Sequence, residues 1–199
     1  GVLAVSAIVA AGIALNAEAQ SPTEGRDAQM IGTLRDRASR DGPTLILQLD
    51  GNRSLRIVDD TSGEKRRHEM VAWWPKHRLY VVDVVMHEAR EAHLISARDG
   101  RTTRVAAPPV LSPSGQYAIA WDPSPLIGNP MELIDLRSDP PVVGKVMGMP
   151  ACPGAGQQHG VRPDPVWLDE QRVTFTGKSL FSADDPKAKQ VLRIVDGKP

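Results

Sequence analysis

The chain has 199 residues, with 24 basic and 24 acidic side chains. This balance gives no reason to expect a nucleic acid or an anionic membrane surface as the main partner, because both recruit an excess of Lys and Arg. The length allows one domain with a sizeable core, and 17 Gly with 17 Pro indicate many turns and short elements rather than long helices.

Residues 1–19 differ from the rest of the chain. Val2 to Leu15 is almost wholly small and apolar, about as long as a signal core and too short to span a bilayer. Ala17 and Ala19 fit a small-residue cleavage pattern that would leave Gln20 as the mature start. Residues 1–19 are therefore predicted to be a signal peptide clipped at its N-terminus. The alternative is a membrane anchor whose earlier part has been lost.

The lone cysteine, Cys152, cannot form an internal disulfide. An exported protein without disulfides relies on its core, which favours a bacterial periplasmic or secreted domain over a small disulfide scaffold. We expect no cofactor, and no stable membrane insertion once the signal is removed.

Residues 20–43 are predicted to be a helical lead-in. Ser21-Pro22-Thr23-Glu24 has the pattern of a capping box, and Gly42-Pro43 is a stop signal. Apolar residues follow at helical spacing at Ala28, Ile31, Leu34 and Ala38. The helix either binds a partner or packs on an edge of the following domain.

From Thr44 onward the pattern predicts strands and turns, so the fold class is all-β with antiparallel units. Asp50-Gly51-Asn52 supplies the positive φ of a hairpin turn. The predicted strands are 45–49, 54–58, 79–85, 92–96, 102–105, 117–121, 131–136, 172–176 and 190–195.

A repeat is suggested by Leu55, Leu94 and Leu133, which are spaced by 39 residues, with Leu192 following after 59. A period near 40 with about four strands is typical of a propeller blade, whose apolar faces are buried by the neighbouring blades. The alternative is a meandering β-sandwich.

The run Ser112-Pro-Ser-Gly-Gln-Tyr-Ala-Ile119 resembles the core of the WD40-like repeats in β-propellers of the TolB type, with Ser114 where the family favours Asp. The resemblance covers residues 44–199. It implies a periplasmic, protein-binding propeller that is not itself an enzyme. Such propellers have six blades, whereas this sequence gives about four partial units. The chain is therefore a partial, open propeller or a fragment of a larger multi-blade protein.

Three tryptophans, Trp74, Trp121 and Trp167, lie at or beside strands that enter the predicted blades. They could line one end of a propeller and stack on a ligand. The alternative is packing between blades. A second candidate binding surface is the irregular insertion 148–165, which contains Cys152, His159 and Arg162. Long loops on a rigid sheet often carry binding residues, but no acid or oxyanion motif accompanies this Cys and His.

His87 and His93 are weak metal-ligand candidates. Glu91 stands where a zincin helix needs its second His, so that motif fails. The two imidazoles could instead face each other across a hairpin and hold Zn²⁺ with Glu88 or Glu91. The alternative is a solvated hairpin end.

The sequence therefore predicts a non-catalytic periplasmic binding module that docks a protein or a cell-envelope component. The rival function is a propeller-type hydrolase or lyase with a His and acid site in its central cavity. That site would draw on His77, His87, His93 and His159, so the rival requires these side chains to share one pocket.

Overall fold

A computed structural model of the chain describes residues 22–63, 65–87, 90–122, 131–146, 165–176 and 189–195. These residues contain one helix and fourteen strands. The helix is α1 (Pro22–Thr33), and the strands are β1 (Ala38–Asp41), β2 (Thr44–Leu49), β3 (Arg53–Val58), β4 (Arg67–Trp74), β5 (Leu79–Val85), β6 (Arg90–Ser96), β7 (Thr102–Val105), β8 (Val110–Leu111), β9 (Tyr117–Trp121), β10 (Met131–Asp135), β11 (Val142–Lys145), β12 (Pro165–Asp169), β13 (Arg172–Thr176) and β14 (Lys189–Arg193).

The strands form four antiparallel sheets in which chain neighbours are also sheet neighbours. Sheet I contains β1–β3, sheet II β4–β7, sheet III β8–β11 and sheet IV β12–β14. The predicted all-β class is therefore confirmed. Local chemistry explains the hairpins: at the turn between β2 and β3, Gly51 and Asn52 adopt φ values of 70° and 57°, as a tight hairpin turn requires.

Three apolar cores lie between consecutive sheets. Because successive side chains of a strand alternate between its two faces, Val82 contributes to the core between sheets I and II, while Val81 contributes to the core between sheets II and III. In the same way Ala118 faces sheet II and Ile119 faces sheet IV. The sheets therefore pack face to face in chain order. In the described part of the chain, none of these cores joins sheet I to sheet IV.

One backbone hydrogen bond recurs in every sheet and aligns them. The residue at the end of one strand donates its N–H to the carbonyl just before the preceding strand: Gln48 to Arg37, Ala97 to Arg78, Leu136 to Gln116 and Ile194 to Gln171, at 2.7, 2.8, 2.9 and 2.7 Å. In sheets II, III and IV these bonds join the second and third strands, but in sheet I they join β1 and β2. In the described part of the chain, sheet I therefore has no strand that corresponds to the first strand of the other sheets.

This alignment corrects the predicted repeat. Counting three residues back from the hydrogen-bond donor gives Leu45 in β2, Leu94 in β6 and Leu133 in β10 as equivalent positions. Leu55 lies in β3, the last strand of its sheet, and is not equivalent to Leu94. The 39-residue spacing thus holds only between Leu94 and Leu133, because sheet I begins one strand late.

The predicted helix was too long. It ends at Thr33, and Ala38 belongs to β1, where it is 1% exposed and paired with Leu47. A strand also buries every second residue, so Ala38 continued the apolar spacing of the helix without sharing its structure. Met30, Ile31 and Leu34 pack on the core between sheets I and II.

The first strands of sheets II, III and IV are absent from the strands predicted from the sequence. They are β4, β8 and β12, and each pairs with the next strand along the chain. At the turn after β8, Gly115 donates its N–H to the Ser112 carbonyl at 2.9 Å. A second unpredicted class comprises β1 and β11.

Candidate functional site

The strands of each sheet begin and end at two opposite ends of the sheet, and the connections at these two ends differ. At one of them, which we call the turn end, short turns of neighbouring sheets contact each other. Lys76 Nζ donates to the Ser114 carbonyl at 2.9 Å, and Ser114 Oγ donates to Glu170 Oε2 at 2.6 Å. Arg98 pairs with Asp139 at the same end. These contacts fix the order of sheets II, III and IV.

At the opposite end, which we call the loop end, lie the strand ends that the other connections join. Those connections are residues 42–43, 59–66, 86–89, 106–109, 122–130, 146–164 and 177–188. The insertion predicted to carry binding residues is one of them, since it leads from β11 to β12. Its candidates Cys152, His159 and Arg162 lie outside the described residues.

Buried charge is concentrated at the loop end of sheet II. Glu69 of β4 and Asp83 of β5 are cross-strand neighbours, 3% and 2% exposed. Arg90 Nε donates to Asp83 Oδ1 at 2.9 Å, and Arg67 Nε lies 3.3 Å from Glu69 Oε1. Two carboxyl groups with one partner each can remain buried because a paired charge avoids most of the desolvation cost.

The environment separates the protonation behaviour of these groups. Burial raises the pKa of Glu69, and the nearby carboxylates of Asp83 and Asp27 raise it further. The hydrogen bond to Asp83 raises the pKa of Arg90. Glu69 therefore holds a proton more readily than an exposed Glu, beside a carboxylate that a guanidinium holds in place.

A second charged cluster ties the helix to the sheets. Arg40 Nε donates to Asp27 Oδ2 at 2.8 Å, and its Nη1 donates to Asp59 Oδ2 at 3.0 Å. The two carboxylates also accept backbone N–H groups, Asp27 from Met70 at 2.7 Å and Asp59 from His68 at 2.8 Å. One guanidinium thus joins α1, β1, β3 and β4.

The two candidate metal-ligand histidines are not paired across the strands, and Glu88, one of the two carboxylates predicted to join them, lies outside the described residues. His87 is exposed in the connection after β5, whereas His93 lies within β6, paired with Val82. Instead His93 Nε2 lies 3.0 Å from Glu91 Oε1, and its ring centroid is 6.3 Å from that of His68. Burial lowers the pKa of His93. No group of three or more potential metal ligands occurs among the described residues.

His77 lies at the turn end, where Nε2 donates to the Gly115 carbonyl at 2.6 Å. It therefore lies beyond one end of β5, whereas His93 pairs with Val82 at the middle of that strand. The rival hydrolase or lyase requires its histidines to share one pocket. The described members of its predicted set do not. The fourth member of that predicted set, His159, lies outside the described residues.

The tryptophans lie between the sheets. Trp74 is 8% exposed in the core between sheets II and III, and Trp121 and Trp167 pack, half-buried, on the core between sheets III and IV. The Trp167 Nε1–H donates to the Val110 carbonyl at 2.9 Å. Trp74 thus faces a different core from the other two, so the three rings do not form one surface.

Sequence reasoning missed the outer face of sheet IV. Val166, Leu168, Val191 and Val195 are 49%, 45%, 52% and 57% exposed. Their strand neighbours Trp167, Leu192 and Ile194 belong to the core with sheet III, so the exposed set lies on the opposite face. The signal was present: apolar residues occupy consecutive positions in both strands, as in strands that are covered on both faces.

Sheet I ends the stack differently. The residues of β2 and β3 that point away from sheet II include Gln48, Ser54 and Arg56, all exposed, beside Ile46 and Val58. Stacked units need a polar outer face at their ends to stay soluble. Sheet I has a largely polar one, whereas the outer face of sheet IV combines Arg172, Thr174 and Arg193 with the four exposed apolar side chains.

Comparisons with protein-family models, curated proteins and solved structures give no match for this chain. Within the described ranges, no helix has the length and apolar character needed to cross a membrane.

Proposed function

We propose that this chain is a non-catalytic binding module that docks a protein or cell-envelope component on the outer face of sheet IV. The observation that carries the proposal is the exposure of Val166, Leu168, Val191 and Val195 on one side of a single sheet. Val166 and Val191 flank Thr174 on the two neighbouring strands, and exposed apolar side chains grouped on one face typically mark an interaction site.

The equivalent positions of the other sheets support this assignment. Counting three residues back from Ile194 gives Val191, which corresponds to Leu45, Leu94 and Leu133. Each of these leucines is buried against the following sheet, at 0%, 1% and 3% exposure. Sheet IV thus presents the surface on which a further sheet packs in the rest of the row. Full burial of one valine side chain is worth about 1.5–3 kcal/mol relative to full exposure.

The proposal extends to architecture and location. The four sheets are the consecutive blades of an open, propeller-like row, as the similarity of residues 112–119 to TolB-type repeats suggests. The signal-like residues 1–19 favour a periplasmic setting. Residues 146–164 lead into β12 and residues 177–188 connect β13 to β14, and long connections beside a sheet often carry binding residues.

The test is affinity capture from an envelope extract with the wild type, Val191→Lys and Val142→Lys. A lysine at 191 places a charge in the centre of the proposed interface. Val142 in β11 is 57% exposed outside that face and is the matched control. We expect partners retained by the wild type and by Val142→Lys to be lost, by tenfold or more, with Val191→Lys. Equal retention by all three proteins contradicts the proposal.

A further inference from the structure

We propose that the open edge of β1 is a strand-addition site, at which an extended segment of a partner protein binds antiparallel to β1 in the groove beside α1. This surface is separate from the outer face of sheet IV, so the inference is independent of the proposed function. It begins with the strand that the described part of sheet I lacks. In sheets II, III and IV, β4, β8 and β12 pair antiparallel with the strand equivalent to β1.

The backbone of β1 shows which groups face the open edge. Because Gln48 N–H bonds to the Arg37 carbonyl, every second residue from Arg37, namely Ser39 and Asp41, bonds toward β2. Ala38 and Arg40 direct their backbone groups the other way. Ala38 N–H is taken by the Leu34 carbonyl at 2.8 Å. The Arg40 N–H and the carbonyls of Ala38 and Arg40 therefore point to the side where a first strand would pair.

A groove runs along this edge. It has a volume of about 810 Å³, with Ala28, Ile31 and Gly32 of α1 and the following Arg35 on one wall and Ser39 and Arg40 of β1 on the other. A groove between a helix and an edge strand suits a peptide that adds to the sheet, because main-chain hydrogen bonds give affinity and the helix wall reads alternate side chains.

The charge at one position of the groove favours a carboxylate. Arg40 is paired with both Asp27 and Asp59, and Arg67 is paired with Glu69. Arg35 forms no ion pair within the described ranges and is exposed. We therefore expect an extended segment with small apolar side chains against Ala28 and Gly32 and a carboxylate near Arg35.

The direction of α1 favours a partner over the residues that precede the helix. Asp27 contacts Arg40, and Leu34 contacts Ala38, so α1 runs opposite to β1. A segment that occupied the groove and then turned directly into α1 would run opposite to α1, and therefore parallel to β1. The first strands of the other sheets are all antiparallel to their neighbour.

The test uses a random-peptide phage library panned on the full chain, followed by affinity measurements with the synthesised peptides. Gly32→Trp fills the groove, and Gly25→Trp is the control on the same helix, since neither glycine has an atom within 4 Å of an added Cβ. We expect binding to weaken at least tenfold with Gly32→Trp and to be unchanged with Gly25→Trp. Arg35→Glu should select against acidic peptides, whereas Arg26→Glu, which lies outside the groove, should not.

Amide exchange at Arg40, followed by NMR, identifies the occupant. Peptide should slow exchange of an amide that is fast in the free chain. Protection without peptide, independent of chain concentration, would mean that the chain fills its own groove. Concentration-dependent protection would mean that a second copy does. Either result overturns the proposal, as do failure to enrich any peptide and peptide binding that survives Gly32→Trp in a variant with unchanged Tm.

Discussion

Glu69 and Asp83 show how a sheet can hold two acids in its interior. Each has its own arginine, but the two arginines act at different distances: Arg90 donates to Asp83 at 2.9 Å, and Arg67 stands 3.3 Å from Glu69. Burial dominates at Glu69 and raises its pKa from 4.5. Glu69 therefore holds its proton more readily than an exposed glutamate does.

The raised pKa of Glu69 predicts a pH dependence of stability. Because the folded pKa of Glu69 is raised, the folded state binds more protons than the unfolded state, and stability is lost as pH rises above 4.5. We expect Glu69→Gln to gain free energy of unfolding relative to the wild type between pH 4 and pH 7.5, as measured by urea denaturation. His93 titrates in both proteins, so its contribution cancels.

Asp99→Asn provides a control of opposite sign. The backbone N–H of Arg101 lowers the pKa of Asp99, so its stabilising contribution is present above pH 3.8 and lost as pH falls through the folded value. Relative to the wild type, this variant should lose stability as pH rises toward 3.8 and then show a nearly constant deficit, whereas Glu69→Gln gains stability above pH 4.5. A pH-independent difference for Glu69→Gln would show that Glu69 has no raised pKa.

Among the elements, α1 and β1 depend most on one side chain. Arg40 occupies the position in β1 that corresponds to Val81 in β5 and Ile119 in β9. A guanidinium thus stands where sheets II and III place a core aliphatic residue. It is satisfied there by Asp27 from the helix and Asp59 after β3.

Arg40→Met is predicted to destabilise the protein by about 3 kcal/mol, because it leaves two buried carboxylates without their counter-charge. The matched control is Arg56→Met. The ion pair of Arg56 with Asp41 is 3.7 Å long and exposed, so its loss should cost less than about 1 kcal/mol. Urea denaturation measures both. Similar small costs would mean that Arg40 does not hold α1 in place.

The hairpins could be predicted from sequence because their signals are local. Asp50-Gly51-Asn52 and Ser112-Pro-Ser-Gly specify turns, and the alternation at Tyr117, Ile119 and Trp121 specifies a strand. Strands β1 and β8 could not be found in this way. The first is four residues long and contains Arg40 at a core position, and the second has two residues, so its pairing comes from contacts with β9.

At the scale of the whole molecule, the sheets differ in how many faces are covered. Sheets II and III have neighbours on both sides, whereas sheet IV is covered on one side in the described part of the chain. In such a stack, stability depends on contacts between adjacent units. Local opening should therefore begin at the uncovered end.

Hydrogen–deuterium exchange should rank the sheets accordingly. We expect the slowest amides in β5, β6 and β9, and exchange at least tenfold faster in β13 and β14. NMR of the purified chain provides the measurement. Equal protection of β5 and β13 would contradict the ranking and would indicate that sheet IV is covered in solution.

The two candidate binding surfaces were harder to predict from the sequence than the hairpins. The apolar run at 191–195 identifies a strand, but which of its residues face sheet III depends on the register of β14 against β13. The groove at β1 exists because the described part of sheet I has no strand before β1. No residue pattern in the sequence predicts this. The tryptophans were visible from the start, yet only the packing shows that Trp74 and Trp167 belong to different cores.

The placement of the indoles has a practical consequence. Trp73 belongs to the core of sheets I and II, 4.6 Å from the Tyr80 ring, and Trp74 to the core of sheets II and III. Trp121 and Trp167 report on the junction of sheets III and IV. Every junction therefore carries its own intrinsic fluorophore. A set of Trp→Phe variants would let emission spectra follow each junction separately, without an attached dye.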